Sequence, residues 1–418
     1  MLIGLRVATT GSVSLQNLTG AVTLRPAMAT ISRSSLVLLF VAACTKPRAP
    51  DVAPPNLAPS ATSSAAPVAS GPVRLEQLSL GARHTCARYS DGHVECWGEG
   101  NDGQLGDGAT KRRSAAAPVA SLTHATTLCS GDMYSCARTD QGVRCWGANK
   151  SGQLGDGTLV SRPTPVAVLD LSDVVEIACG DVHACARTRA GAVRCWGEND
   201  HGSMGPGGAG QHPKPDSPLA DLDGVKQLAL GGAHSCAIVR DGSVRCWGKN
   251  DHGQLGDGTT NDSPSPRAVS GLASVVQLAL SDRSSCARTE DGGVWCWGGN
   301  KYGQLGDGTR EEKTKPVRVT LAPVDALSGG DMHVCALTKG AVWCWGNSDA
   351  GQLGDGERTH RSAPVAVASL SNIVEVTAGW SHTCARTSEA VWCWGENTHG
   401  QLGDGTTTMR LVPTPVAR

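Results

Sequence analysis

The run Cys96-Trp97-Gly98-Glu99-Gly100-Asn101-Asp102-Gly103-Gln104-Leu105-Gly106, preceded by His84-Thr85-Cys86-Ala87, decides the fold because it recurs along the chain. Its Cys-Trp-Gly triplet returns at Trp146, Trp196, Trp247, Trp297, Trp345 and Trp394, so that successive copies lie 48 to 51 residues apart without a gap. Each copy reads as an apolar strand, Gly-x-x-His-x-Cys-Ala, a turn, Val-x-Cys-Trp-Gly and then, in six copies, Gly-Gln-Leu-Gly-Asp-Gly. A fixed period of this length marks a repeat architecture, in which each unit buries its apolar face against the next. Four short strands fit in about 50 residues, and four-stranded blades arranged around an axis hide the sheet edges that an open stack leaves bare. The fold class is therefore all-β: a seven-bladed β-propeller of four-stranded blades. At the C-terminus, Pro413-Thr414-Pro415-Val416-Ala417 repeats the strand start at Pro163-Thr164-Pro165-Val166-Ala167, whereas the first copy, beginning at Val73, lacks that strand. Residues 414–418 are accordingly expected to complete the blade containing residues 73–97, so that the C-terminal strand closes the ring.

Composition agrees. The chain has 53 Gly and 11 Trp but only 3 Tyr and 1 Phe, and Phe40 lies ahead of the first copy. A core of Val, Leu and Trp between Gly-rich turns suits short strands and excludes long helices. A formal charge of -1 over 418 residues gives no electrostatic footprint for nucleic acid, so none is expected as a partner.

The His-Thr-Cys-Ala and Cys-Trp-Gly-Glu-Gly-Asn-Asp-Gly-Gln-Leu-Gly motifs resemble the repeat signature of the regulator of chromosome condensation (RCC1) family, and the resemblance covers Val73 to Arg418. It implies the propeller fold. It leaves the chemistry open, because the family's scaffold includes the eukaryotic exchange factor for the GTPase Ran and a secreted bacterial inhibitor of β-lactamases.

Each copy carries two cysteines: 86 with 96, 136 with 145, 185 with 195, 236 with 246, 286 with 296, 335 with 344, and 384 with 393. Their spacing is either nine or ten. Placing the two cysteines opposite each other leaves a two-residue turn at Lys339-Gly340 in one case and a Gly-containing three-residue turn at Glu290-Asp291-Gly292 in the other, so the register survives both. Facing residues of an antiparallel pair sit about 4.5 to 5.5 Å apart at Cα, within disulfide reach. Seven bridges within blades follow as an expectation: Cys86–Cys96, Cys136–Cys145, Cys185–Cys195, Cys236–Cys246, Cys286–Cys296, Cys335–Cys344 and Cys384–Cys393. Each contributes about 2 to 3 kcal/mol for so short a loop. The alternatives are buried reduced thiols and, where His84, His183, His234, His333 or His382 precedes the first cysteine, a three-ligand metal site; Tyr134 and Ser284 replace that histidine without loss of the cysteines, and no metal or cofactor is expected. Cys129 and Cys179 remain, in neighbouring copies and one position out of register, with their state left open.

So many paired cysteines argue for an oxidising compartment. The N-terminus points the same way. No Asp or Glu precedes Asp51, and Met28 to Cys44 reads as a short start with Arg33, an apolar run and then Val41-Ala42-Ala43-Cys44, which resembles a bacterial lipobox with Cys44 as the lipidated residue. The apolar run from Leu36 to Ala43 is far shorter than the roughly 20 residues that span a bilayer. A mitochondrial transit peptide is the rival reading. The expected organisation is a leader and lipoprotein-type signal over 1–44 with Met28 as the more natural start, a Pro/Ala/Ser-rich tether over 45–72, and the propeller over 73–418. The expected location is the bacterial cell envelope, lipid-anchored and facing the periplasm or exterior.

The Gly-Gln-Leu-Gly-Asp-Gly element lacks the Lys-Ser/Thr and helix of a phosphate loop and the ligand ladder of a calcium loop, so it reads as a turn whose Leu packs between blades. Repeated His and Trp read as structural, and no unique nucleophile, base or carboxylate pair stands apart from the repeat, so no catalytic residue and no enzyme is expected. Function is sought where copies differ. The segments after each Gly-rich turn vary most and supply candidate binding residues Lys111, Arg112, Arg113, Gln211, His212, Arg310, Glu311 and Arg358. The bland reading makes them solvated connectors. The third copy departs furthest, with Ser203-Met204-Gly205-Pro206-Gly207-Gly208 in place of the motif. Tyr302 and Trp380 are the few aromatic anchors available to such a surface. The favoured function is a monomeric, non-catalytic interaction scaffold for an unknown protein or cell-surface polymer; the alternative is a guanine-nucleotide exchange factor for a small GTPase.

Overall fold

The computed structural model describes residues 72–417 apart from residue 221. The expected leader, the lipidation site Cys44 and the tether up to residue 71 lie outside the described residues. Among the described residues, 28 strands form seven four-stranded antiparallel sheets and there is no helix. In the first blade the innermost strand Leu75–Leu80 pairs with His84–Tyr89, that strand with Val94–Gly98, and that one with the outermost strand Arg113–Pro118. The other six blades repeat this order within contiguous sequence.

The core lies between blades. The cluster joining the first two contains Cys86, Val94, Cys96 and Leu105 from one, with Ala125, Leu128, Ala137 and Trp146 from the other. Because each blade is covered on both faces, its second strand buries successive residues, as in His84-Thr85-Cys86-Ala87, where a one-sided sheet alternates. The seven repeat tryptophans are at most 2% exposed. Burying such an indole removes roughly 200 Å² from water, an upper bound of about 5 kcal/mol each. Six of them donate an indole N–H to the loop of the preceding blade, as Trp146 does to Gln104 O at 2.9 Å. Trp247 does not, since the preceding loop is the divergent one with Ser203-Met204, and its Nε1 is buried without a partner. Gly106, at φ +70°, is held to glycine because a Cβ there would lie 2.8 Å from both Trp146 and Val119.

The expected latch is overturned. The C-terminal strand Arg410–Pro415 pairs with Val391–Gly395 and completes the last blade, while the first blade has its own outermost strand, Arg113–Pro118. The reason is phase: every copy begins at its innermost strand and ends with the Pro-rich one, and the intervening loop ties that strand to its own blade. Asp404 pairs with Arg410 at 2.8 Å just as Asp156 pairs with Arg162 at 2.9 Å. The ring closes instead by the packing used at every seam. Trp97 donates to Gln401 O at 3.0 Å, Thr85 bonds His382 at 2.9 Å, and Leu402 packs with Leu75, Leu78 and Trp97. Each of the other six seam clusters includes a linker leucine (Leu122, Leu171, Leu222, Leu272, Leu321 or Leu370) and the closing one has none; a cavity of about 920 Å³ bounded by Tyr89, Trp97, Val391 and Val416 lies there instead.

Candidate interaction face

In an antiparallel four-stranded blade, the loop from innermost to second strand and the loop from third to outermost strand emerge at the same end. Contacts between the two loops follow: Arg83 lies 3.5 Å from Glu99, and Arg283 bonds His252 at 3.3 Å. One face of the ring therefore carries both sets of loops, and the hairpin turns and inter-blade linkers occupy the other.

The outer part of this face is built from the Gly-rich turns. Asn149 Nδ2 donates to Asp156 Oδ1 and to the carbonyls of Thr158 and Val160, while Asp156 accepts from Thr158 N–H at 2.9 Å, so the motif is a self-bonded turn. Its leucines, including Leu105 and Leu154, are fully buried between blades. The candidate residues lie on these loops. Lys111 and Arg112 are exposed, and Arg112 reaches across the closing seam to Thr398 O at 3.3 Å. Arg113 starts the outermost strand, paired with Asp107 at 2.5 Å. Gln211 and His212 form the short outermost strand of the third blade, with His212 held 2.8 Å from Asp216. Arg310 and Glu311 are exposed, and Lys313 bonds Glu311 at 2.9 Å. Arg358 is exposed and donates to Asp349 O at 2.6 Å. The structure does not gather these residues into one pocket. It strings them around a rim, with neighbouring loops linked by His201–Asp262 at 3.0 Å and His252–Glu312 at 2.7 Å. Tyr302 stacks edge-on with His360 on the same rim.

The centre of the face holds a feature that sequence reasoning missed. Two residues before the histidine position, the copies carry Ala82, Asp132, Asp181, Gly232, Asp282, Asp331 and Trp380. These converge at the axis around a pocket of about 90 Å³ bordered by Asp181, Asp282, Asp331 and Trp380. Backbone bonds from blade to blade fix the ring, as from Asp132 N–H to Asp181 O at 3.1 Å and from Asp331 N–H to Gly379 O at 3.2 Å. Burial pushes the Asp181 carboxyl up to about 8, helped by the neighbouring charges of Asp282, Asp331 and Asp132 and opposed by a hydrogen bond from Trp380. Asp331 is raised to about 7 by burial and Asp282, against Arg283. Asp132 is raised to about 6 by burial, against Arg83, and its Oδ1 is buried without a partner. The signal was present as copy-to-copy variation at one position, but only the ring geometry turns seven separated residues into one site.

The histidines below this ring are fully buried, and their partners are side-chain hydroxyls of the next blade. His84 meets Ser135 at 2.7 Å, His234 meets Ser285 at 2.8 Å, and His333 meets Thr383 at 2.8 Å. Gly81 makes room: a Cβ there would lie 2.2 Å from the His84 ring. In the second blade Tyr134 fills the same place and donates to His183 O at 2.6 Å. Burial lowers His84, His234, His333 and His382 to about 3 and His183 to about 4.

All seven in-blade cysteine pairs stand opposite each other in register and are bridged. Cys129 and Cys179 are bridged as well, across the seam between the second and third blades. Their offset of one position is what lets them meet. Adjacent blades face each other with opposite sides of their sheets, so residues that meet across a seam have opposite parity along the strand.

A seven-bladed propeller with a structurally uniform interior and one face that varies from copy to copy defines a repeat scaffold of the protein-interaction type. The chain belongs to the regulator of chromosome condensation (RCC1) repeat family: the profile of that repeat matches residues 142–187, 241–288, 291–337, 339–386 and 388–418, more than half of the chain, and a second profile of the same repeat matches 76–104, 174–203, 225–254, 275–304 and 373–401. Among curated proteins it is similar to the human E3 ubiquitin-protein ligase HERC2, 49% identical over 53 residues, which is 12% of this chain and 1% of that protein. It is also similar to the ultraviolet-B receptor UVR8 of Arabidopsis thaliana, 43% identical over 54 residues, 12% of each chain. The matches thus span only small parts of these relatives. Among solved structures, human WBSCR16 superposes with a TM-score of 0.68 at 25% identity, covering 75% of this chain and 87% of that one. Yeast RCC1 (Prp20), solved bound to Kap60, superposes with a TM-score of 0.70 at 22% identity, covering 82% and 85%; this likeness is one of fold.

Proposed function

We propose that this chain is a monomeric, non-catalytic interaction scaffold that binds a protein or surface polymer through the loop face, held at the bacterial cell envelope by a lipid on Cys44. The observation that carries the reading is where the copies differ. The axial position and the outer loops both vary and both fall on one face, while the buried positions repeat from blade to blade. A broad ring of loops on a rigid scaffold is how propellers present binding surfaces. Eight bridges among the described residues support an oxidising compartment, which also speaks against an exchange factor for a cytosolic GTPase.

The test places a photo-crosslinking residue at position 111, 310 or 358 on the loop face, or at 91 or 241 in the hairpin turns of the opposite face, in cells producing the full chain. Cross-links confined to the loop-face positions are expected, and equal products from 91 and 241 sink the assignment of the face. Replacing residues 203–208 by the common Gln-Leu-Gly-Asp-Gly turn is expected to weaken those cross-links. For the anchor, Cys44→Ser is expected to move the protein from the membrane fraction to the soluble one.

A further inference from the structure

The second blade carries three cysteines in a row across three adjacent strands. Cys129 on its innermost strand stands opposite Cys136, and Cys136 stands opposite Cys145. The other copies have Ser79, Ala178, Ala229, Ala279, Ser328 or Thr377 at the Cys129 position. Directly opposed residues lie on one face of a sheet, and this face looks toward the third blade, whose Cys179 completes the group. The sulfurs of Cys129, Cys136 and Cys179 all lie within 4.8 Å of one another, so two disulfides touch. Cys136 and Cys145 are buried, at 1% and 0% exposure, whereas Cys129 and Cys179 are partly exposed. Cys179 also borders the axial pocket.

We propose that this cluster is a thiol–disulfide exchange site, in which a small dithiol acting on Cys129–Cys179 sends the second blade into a different bridge, Cys129–Cys136. A thiolate of the dithiol attacks Sγ of Cys179, and the Cys129 sulfur leaves as thiolate. The second thiol of the reagent attacks its own sulfur in the mixed disulfide, releasing Cys179, which takes up a proton, and the oxidised cyclic reagent. The freed Cys129 thiolate then attacks Sγ of Cys136. The Cys136–Cys145 bond breaks, the electron pair leaves on Cys145, and Cys145 takes up a proton. The dithiol has given two electrons and two protons, and the protein has lost one bridge and gained two thiols, Cys145 and Cys179. Exchange proceeds by this direct displacement and depends on access and proximity, both of which this cluster provides. Opposed strand residues are also within the span that a disulfide bridges. The result removes the covalent tie between the second and third blades three residues before Asp132 and two before Asp181. A reductant would thereby loosen the axial ring of the loop face, and an oxidant would restore it.

The experiment treats the native full chain with limiting dithiothreitol, quenches with iodoacetamide, digests with trypsin without reduction and maps the bridges by mass spectrometry. Cys129 and Cys136 share the tryptic peptide 114–138, while Cys145 lies in the short peptide 145–150. The proposal predicts peptide 145–150 released and alkylated, peptide 114–138 carrying an internal bridge, Cys179 alkylated and the other six blade bridges intact. Alkylation at Cys129 and Cys179, with 114–138 still joined to 145–150, overturns it. Cys179→Ser gives the second reading: about half or more of the molecules are expected to expose Cys145 in place of Cys129, since the exchange is then internal and needs no reagent. A free thiol confined to Cys129 overturns the proposal. This variant retains the fold on the proposal's terms, because six of the seven seams have no such bridge among the described residues.

Discussion

Two rings of ionisable side chains circle the axis of this propeller, two residues apart in every blade that has both, and burial drives them in opposite directions. The inner-layer histidines are stripped of water and given a neutral hydroxyl as partner, so they stay uncharged. Asp132, Asp181 and Asp331 at the loop face are raised for the same reason, with like charges beside them and only Arg83, Arg283 and a hydrogen bond from Trp380 in opposition. The difference lies in repetition. Five histidines, one Tyr and one Ser do one packing task, whereas the aspartate position alternates among Asp, Ala, Gly and Trp. Structural positions are held to a common residue by identical surroundings. Positions that open into a shared space are free to differ, and they add up to a single asymmetric site.

The largest expected effect is acid unfolding. The unfolded chain protonates its histidines below about pH 6.5, while the folded histidines stay neutral down to about 3 to 4. Stability is therefore present above pH 6.5 and lost as pH falls toward 4, each of the five groups contributing about 1.4 kcal/mol per unit of depression. Guanidinium denaturation with bridges intact, between pH 4 and 7, measures the slope; a flat profile breaks the comparison. The second effect has the opposite sign. Asp132, Asp181 and Asp331 bind protons in the folded state that the unfolded state has released above about pH 4, so their contribution to stability falls as pH rises through 6 to 8. With both limbs present, maximum stability is expected near pH 6. Asp181→Asn should flatten the alkaline limb and raise stability at pH 8 by a few kcal/mol. An unchanged slope between pH 6 and 8 removes the aspartate half of the argument.

Smaller effects sharpen the contrast. His234→Ala removes the partner of Ser285 and leaves a gap over Gly231, and is expected to cost about 2 to 3 kcal/mol in the same denaturation assay, with acid sensitivity reduced. Lys111→Ala and Arg310→Ala on the outer rim are expected to change stability by less than about 0.5 kcal/mol while reducing cross-linked product from the loop face. A rim substitution that destabilises as much as the histidine one would mean that the outer loops belong to the structural layer.

Much of this was legible before any coordinates. The spacing of Cys-Trp-Gly set the number of blades, the nine- and ten-residue cysteine spacings both kept the cysteines opposed, and the absence of a phosphate-loop Lys and helix left Gly-Gln-Leu-Gly-Asp-Gly as a turn. The phase of the repeat was not legible. A periodic sequence has no marked origin, so Pro413 to Ala417 read as the missing strand of the first blade, and only the pairing of Trp392 with Pro415 and Gly395 with Arg410 placed it in the last blade.

The sequence by itself determined everything that repeats: blade number, the seven in-blade cysteine pairs and the buried Trp and His, because each is a local pattern enforced by identical neighbours. Only the tertiary structure decided what depends on the ring: that Asp181, Asp282 and Asp331 share one mouth, and that Cys129 and Cys179 face each other across a seam. Those contacts join residues some 50 or more positions apart, and their geometry is set by the rotation from one blade to the next, which no single copy encodes.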